Sequence, residues 1–310
     1  MDAIYVGIDV SKDRLDVHVR PSGEAFAVAR DGKGLEELVG RLLACSPALV
    51  AVEATGGFET IVAAALAGAQ LPLVVINPAQ VRHFAQAIGQ RAKSDPIDAA
   101  VIARFVEAVK PALRPVPDQQ ARLLAELVAR RRQIIEMIVA ERQREQRVES
   151  VRIRKGVARH IKQLEKELPD IDNDIDTLVR GSPAWRDKEK LLISFPGVSN
   201  TLARLFIAEV PELGALNRRQ IASLAGLAPF IRQSGRWKGR SKIGGGRSSL
   251  RAGLYMAALS AIRCHPQLKV FYRRLVSTGK PKMVALIAVA RKLLTILNAM
   301  LRDQKPWQPA

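Results

Sequence analysis

Along the first 110 residues the apolar positions switch repeatedly between a period of two and a helical period. "IYVGIDV" (4–10), "RLDVHVR" (14–20) and "EAFAVAR" (24–30) read as three strands, the first two joined by the turn "SKD". "GLEELVGRLLAC" (34–45) has helical spacing, "ALVAVEA" (48–54) is a buried-strand run, "FETIVAAALAGA" (58–69) is a helix and "LPLVVIN" (71–77) another strand. Two helices follow, "PAQVRHFAQAIG" (78–89) and "DPIDAAVIARFVEAV" (95–109). A meander followed by alternating helices and strands predicts an α/β domain over 1–110, a mixed sheet with helices on both faces.

The pattern then changes. "KPALRPVPD" (110–118) holds three prolines and marks a boundary. Residues 119–180 contain hardly any Gly or Pro, and Leu124, Leu127, Ile134 and Ile138 fall near heptad spacing with Arg131 interrupting. Two long helices are predicted for 111–182, either an antiparallel or intermolecular coiled coil or helices packed on their own domain. A mostly helical third domain is expected over 183–310. It opens with "LLISFPGVSNTLARLFIAEVPELG" (191–214), two apolar helices around the tight turn "PGVS". This reads as a helix-hairpin-helix in which Gly197 lets backbone amides approach a DNA phosphate, or as a plain αα-corner.

Composition is that of an ordinary globular protein, with 25% charged and 48% hydrophobic residues in 310. No uninterrupted apolar run nears the roughly 18 residues of a membrane span, and "MDAIYVGIDV" lacks the layout of a secretory signal. A cytoplasmic location without a membrane partner is expected. Cys45 and Cys264 fit no metal or disulfide spacing and read as small core residues. The four histidines show no ligand spacing.

The charge is uneven. Residues 1–110 hold 11 Lys/Arg against 13 Asp/Glu, whereas 183–310 hold 23 against 5. Between Glu212 and Asp303 there are 18 Lys/Arg and no acid. A surface of one sign implies a polyanionic partner, and nucleic acid fits better than an anionic membrane because no basic amphipathic anchor is present.

Two groups of residues carry candidate chemistry. Asp9 and Glu53 end strands, and Asp95 and Asp98 begin a helix in "KSDPIDAAVIARF". Asp95 and Asp98 fit a capping box, with Asp95 as N-cap and Pro96 as first helical residue. In a ribonuclease-H-like sheet the strands bearing Asp9 and Glu53 are neighbours, and all four carboxylates then meet at one edge. Oxygen-only ligands of this kind select Mg²⁺ or Mn²⁺. Asp13, Asp16 and Glu59 read as solvated or structural. The second group is "APFIRQSGRWKGRSKIGGGRSSLRAGLYMAAL" (228–259), with the cations Arg232, Arg236, Lys238, Arg240, Lys242, Arg247 and Arg251. A flexible basic glycine loop entering a helix near Ser249 would hold a phosphodiester. Ser234, Ser241, Ser248 and Ser249 are its candidate nucleophiles, hydrogen-bonding groups or helix caps, with Ser249 the natural cap.

"GIDVSKD", "VEATGGFE", "KSDPIDAAVIARF", "PGVS" and "LAGLAPFIRQSGRWKGRSKIGGGRSSLR" together resemble the DEDD transposases of bacterial insertion sequences, the RNA-guided bridge recombinases, over nearly the whole chain. The resemblance implies a RuvC-like N-terminal domain, a helical middle and a C-terminal transposase domain. It places the metal-binding acids on Asp9, Glu53, Asp95 and Asp98 and the catalytic serine on Ser234. It implies attack of that serine on DNA to give a phosphoserine intermediate with Mg²⁺ (or Mn²⁺) as cofactor. It further implies donor and target DNA, a structured guide (bridge) RNA, and a homo-oligomer, a dimer assembling to a tetramer, at the bacterial nucleoid. A RuvC-like nuclease using water, an actin-like ATPase and a non-catalytic nucleic-acid-binding protein are the competing readings.

Overall fold

Val6, Ile8 and Val10 of strand β1 (Tyr5–Val10) alternate with Tyr5, Gly7 and Asp9, so the strand offers two faces of different character. In the computed structural model, which describes residues 3–54, 56–90, 94–113, 117–231, 233–239 and 241–308, β1 sits at the centre of a five-stranded sheet. Its neighbours are β2 (Arg14–Arg20) and β3 (Ala25–Ala29) on the antiparallel side, and β4 (Leu49–Glu53) and β5 (Leu73–Ile76) on the parallel side, in the order β3-β2-β1-β4-β5. Helices α1 (Gly32–Cys45) and α2 (Glu59–Gly68) follow β3 and β4, and α3 (Pro78–Ala87) and α4 (Asp95–Val109) follow β5.

The period of two sorts the sheet's side chains into two cores. Val6, Ile8, Val10, Leu15, Val17, Val50 and Val52 meet Leu38 and Leu42 of α1 and Val62 and Leu66 of α2. Leu49, Ala51, Val74 and Ile76 face Val81 of α3 and Val101, Ile102, Phe105 and Val106 of α4. Gly7 lies on this second face, where a Cβ would stand 2.3 Å from the Ala103 amide nitrogen and 2.4 Å from the Ala99 carbonyl oxygen. Only glycine lets α4 come so close.

The chain divides into two units, Met1–Pro117 and Asp118–Ala310. In the second, α5 (Gln119–Arg147) turns at residues 148–150 into α6 (Val151–Gly181). The two run antiparallel in one chain, with two apolar stations between them. Leu124 and Val128 meet Ile175 and Val179 beside Leu205 and Ile207; Ile134 and Ile138 meet Ile161 and Leu164. Arg131, which interrupts the heptads, is answered by Asp172 at 2.5 Å. Read from sequence as a middle segment of its own, this hairpin joins the second unit through α8. Pro169 lies inside α6, between the stations.

Helices α7 (Pro183–Ile193), α8 (Asn200–Glu209), α9 (Arg218–Leu224), α10 (Ser248–Cys264), α11 (Pro266–Ser277) and α12 (Lys282–Asp303) build the remaining core around Phe195, Phe206, Leu254, Leu293 and Leu297. By length and composition α12 would suffice to cross a membrane, which the sequence pattern did not anticipate. Here Leu286, Val289, Leu293, Leu294 and Leu297 of α12 are buried in this core. Cys264 is a correction: it is exposed, at the last turn of α10, with its thiol donating to the Ser260 carbonyl at 3.2 Å.

Candidate active site

Strand register decides where the acids stand. Ile8 pairs with Val52 across parallel β1 and β4, so the residues that follow, Asp9 and Glu53, leave the carboxyl ends of adjacent strands. By alternation Asp9 shares the α4 face with Gly7, and Glu53 shares it with Ala51. Gly7 fixes α4 through Ala99 and Ala103, which directs the helix's first turn, with Asp95 and Asp98, toward Asp9. The charge coupling agrees. Asp9 is pushed up from 3.8 to about 6, first by burial and then by the negative charges of Asp98, Asp95, Glu53 and Asp16. All four acids named from the sequence therefore act on one locality.

The capping box does not form. Ser94 is the N-cap, in extended backbone and without a side-chain cap bond, so Asp95 is the first helical residue, and the Asp98 amide donates to the Ser94 carbonyl at 2.8 Å. Pro96 is tolerated one position further in because the first-turn amides have no intrahelical acceptor. Both carboxylates thus lie inside the first turn, where the helix's amino end favours anions.

Asp16 is the residue sequence reasoning undervalued. It pairs across the antiparallel ladder with Asp9, is 3% exposed, and is held by Arg14 through Nε at 3.1 Å and Nη2 at 2.8 Å. Glu59 is structural, accepting from the Gly57 amide at 2.8 Å. Among the described residues no three acids, imidazoles or thiols are already drawn together around one point. The donor chemistry nevertheless fits a hard cation, because mutual repulsion of carboxylates is what a divalent charge relieves.

The basic segment is ordered where a flexible loop was expected. Strands β6 (Pro229–Phe230) and β9 (Lys242–Ile243) pair antiparallel, and within them β7 (Gln233–Ser234) and β8 (Trp237–Lys238) pair again. The result is a short ribbon turning at Gly235–Arg236, with Gly235 at φ +54° as a two-residue hairpin requires. Ser234, exposed, is the last strand residue before that turn. Arg236 and Lys242 are exposed; Arg232, Arg240 and the Lys238 side chain lie outside the described residues.

The other members of the constellation are held within the chain. Arg247 is the N-cap residue of α10, and its guanidinium forks onto Glu212 with two bonds of 2.9 Å. Arg251 donates to the Gly245 carbonyl at 2.6 Å. A Cβ on Gly246 would stand 2.3 Å from the Gly226 amide nitrogen, so this glycine serves contact with the end of α9. Ser249 caps nothing; its hydroxyl donates to Glu209. Ser241 and Ser248 line a cleft of about 700 Å³ with Arg251, Tyr255 and Arg291. Gly197, at φ +99°, makes its close approach to Ala261 of α10, a contact internal to the protein.

Comparison with known proteins assigns the class. A family profile described as transposase, of the DEDD type, matches residues 6–148, and one described as transposase of the IS116/IS110/IS902 family matches 189–273. The chain is therefore a transposase. It belongs to the DEDD transposases of the IS110 group of insertion sequences. It is 28% identical over 318 residues to the pilin gene-inverting protein of Moraxella bovis, covering 99% of this chain and 98% of that one. The insertion element IS900 42 kDa protein of Mycobacterium paratuberculosis is 34% identical over 157 residues, 48% of this chain and 39% of its own length.

Proposed function

We propose that this transposase cuts and exchanges DNA strands with Ser234 as nucleophile and Asp9, Glu53, Asp95 and Asp98 as the metal-holding acids of a RuvC-like domain. The observation that carries the acid half of the reading is the register that sets Asp9 beside Glu53 with the first turn of α4 packed on β1 at Gly7. The raised pKa of Asp9, owed to burial and to the charges of Asp98, Asp95 and Glu53, agrees with it. The sheet order, with an antiparallel meander on one side of β1 and parallel strands on the other, agrees with a ribonuclease-H-like domain.

The Ser234 hydroxyl gives up its proton to solvent as its Oγ forms a bond to phosphorus, a phosphorus–oxygen bond to the sugar breaks, and the departing sugar oxygen takes up one proton in exchange. The bond energy is conserved in the phosphoserine, so rejoining needs no nucleotide cofactor. Mg²⁺, or Mn²⁺, bound by the four carboxylates would supply charge neutralisation for the developing oxyanions. Asp9, which exchanges its proton near pH 6 without metal, is the acid best placed to respond to a bound cation. Arg236, Lys238 and Lys242, with Arg232 and Arg240, hold the DNA backbone around the ribbon, and Arg247 and Arg251 brace its base. A structured guide RNA selects donor and target, and a dimer assembling to a tetramer brings acids and serine from different protomers together.

The test is denaturing electrophoresis of labelled DNA after incubation with protein, guide RNA and Mg²⁺. Ser234→Ala should bind DNA but form no covalent adduct, while Ser241→Ala, Ser248→Ala and Ser249→Ala keep it. Cleavage that persists in Ser234→Ala would mean that water attacks instead.

A further inference from the structure

Helix α6 carries its charges in two blocks. From Val151 to Lys166 it has six Lys/Arg and one acid; from Glu167 to Asp176 it has five acids and no Lys/Arg. Three of these five acids, and Glu165 before them, are answered inside the chain, while Asp170 and Asp174 are exposed. Glu167 pairs with Arg130 at 3.1 Å, Asp172 with Arg131 at 2.5 Å and Asp176 with Arg204 at 2.7 Å, while Glu165 takes Arg142 at 2.6 Å. In contrast, Arg152, Lys155, Arg159 and Lys162 are exposed, and none forms an ion pair or side-chain hydrogen bond among the described residues.

These four cations follow one another at intervals of three, four and three residues, so they share one face of the helix. With Val151 and Ala158 they border a shallow hollow of about 750 Å³. The stripe starts at the amino end of a 31-residue helix whose N-cap, Ser150, makes no side-chain cap bond. The positive end of the helix dipole therefore adds to the same field. At about 1.5 Å per residue the stripe runs roughly 15 Å, the length of about four phosphates at 3.4 Å rise along one strand of B-DNA.

We propose that this face of α6 grips the phosphate backbone of duplex DNA, at a site that shares no residue with the ribbon bearing Ser234. Charge selects the occupant. A second copy of the chain would have to offer a matching row of acids, but in α6 only Asp170 and Asp174 are left over, since Glu165, Glu167, Asp172 and Asp176 are engaged. An anionic membrane would need more apolar contact than Val151 and Ile153, 63% and 57% exposed, provide. DNA is the polyanion a transposase must hold. The guide RNA of the proposed function is the rival occupant, and a salt slope that the stripe variant flattens for a structured RNA but not for the duplex would overturn the assignment.

The experiment compares full-length wild type with the quadruple variant Arg152→Gln, Lys155→Gln, Arg159→Gln, Lys162→Gln. A control with the same charge loss carries Lys33→Gln, Arg82→Gln, Arg104→Gln and Lys110→Gln. Binding to a 40-base-pair duplex is measured across a salt series, with circular dichroism verifying that both variants keep wild-type helix content. The stripe variant should flatten the slope of log K against log[salt] by about 3 to 4, near 0.9 per phosphate released, and the control by less than about 1. Equal flattening in both would overturn the proposal in favour of bulk net charge, and an unchanged stripe variant would overturn it outright. A changed oligomeric state with an unchanged slope would assign the stripe to a protein interface and likewise overturn it. The adduct at Ser234, assayed at low salt where both variants bind, reads the catalytic proposal separately.

Discussion

The acid-bearing sheet and the serine-bearing ribbon place their chemistry in opposite ways. Asp9 and Glu53 sit toward the ends of strands that are otherwise buried apart from Tyr5, and Asp95 and Asp98 begin a helix locked to the sheet at Gly7. Ser234 sits in a strand of two residues, both exposed, with open space around the Gly235 turn. The first arrangement is preorganised by a hydrophobic core, so repulsive carboxylates can be held together against their own electrostatics. The second has little burial to fix it, so under the proposed function the bound nucleic acid would have to complete its working geometry. Stability and function are therefore expected to separate differently in the two regions.

The largest effects test function. Asp98→Ala and Ser234→Ala should each lower strand exchange by about 10³-fold or more, with thermal unfolding close to wild type in both. An Asp98→Ala protein of full activity would reduce the acid cluster to a structural feature. Next in size is Gly7→Ala. Its methyl would press on the Ala99 carbonyl and the Ala103 amide of α4, and a loss of about 3 kcal/mol is expected in chemical denaturation. Wild-type stability in that variant would show that α4 can shift away and that the acids are not pinned.

A smaller effect has a defined sign. A carboxyl whose folded pKa is about 6 against 3.8 for the ordinary group binds more protons folded than unfolded between those values. Stability without metal therefore falls as pH rises from about 4 to about 6, and the penalty is complete above that. Asp9→Asn should remove this dependence and stabilise the metal-free protein at pH 7 by on the order of 1 kcal/mol, after allowance for solvent screening. Millimolar Mg²⁺ should raise the wild-type Tm and leave Asp9→Asn less affected. The smallest stability change is expected for Gly235→Ala, about 1 kcal/mol or less, yet strand exchange should drop well below wild type. That pairing, against Gly7→Ala, is the sharpest contrast between the regions.

The N-terminal architecture was legible because its signals are local. Alternation in "IYVGIDV" and "RLDVHVR", and helical spacing in "DPIDAAVIARF", each name an element and a face without knowledge of the rest of the chain. The acids followed from the same alternation once β1 and β4 were taken as neighbours. Asp16, expected to be solvated or structural, is structural through Arg14; its place opposite Asp9 was not legible because a single charged residue in a strand says nothing of the strand opposite. The helix start slipped by one residue because Ser94 and Asp95 are both good caps and proline fits either first-turn position. The ribbon at 229–243 escaped because two-residue strands have no period to read. The roles of Arg247, Ser249 and Gly246 depend on Glu212, Glu209 and Gly226, partners 20 to 40 residues away that no local pattern reveals.

The two apolar stations of the α5–α6 hairpin have a further consequence. The station nearest α8 shares its side chains with the rest of the second unit, whereas the far one rests on four buried residues, Ile134, Ile138, Ile161 and Leu164. Pro169 lies between them and removes one rung of the helical ladder. With less burial to hold it, the hairpin's outer half is expected to open before the inner half, although Ile171 touches both stations. Amide exchange should divide α6 at about Pro169, with slow protons toward Val179 and markedly faster ones toward Val151, so the tip fluctuates while its root stays fixed.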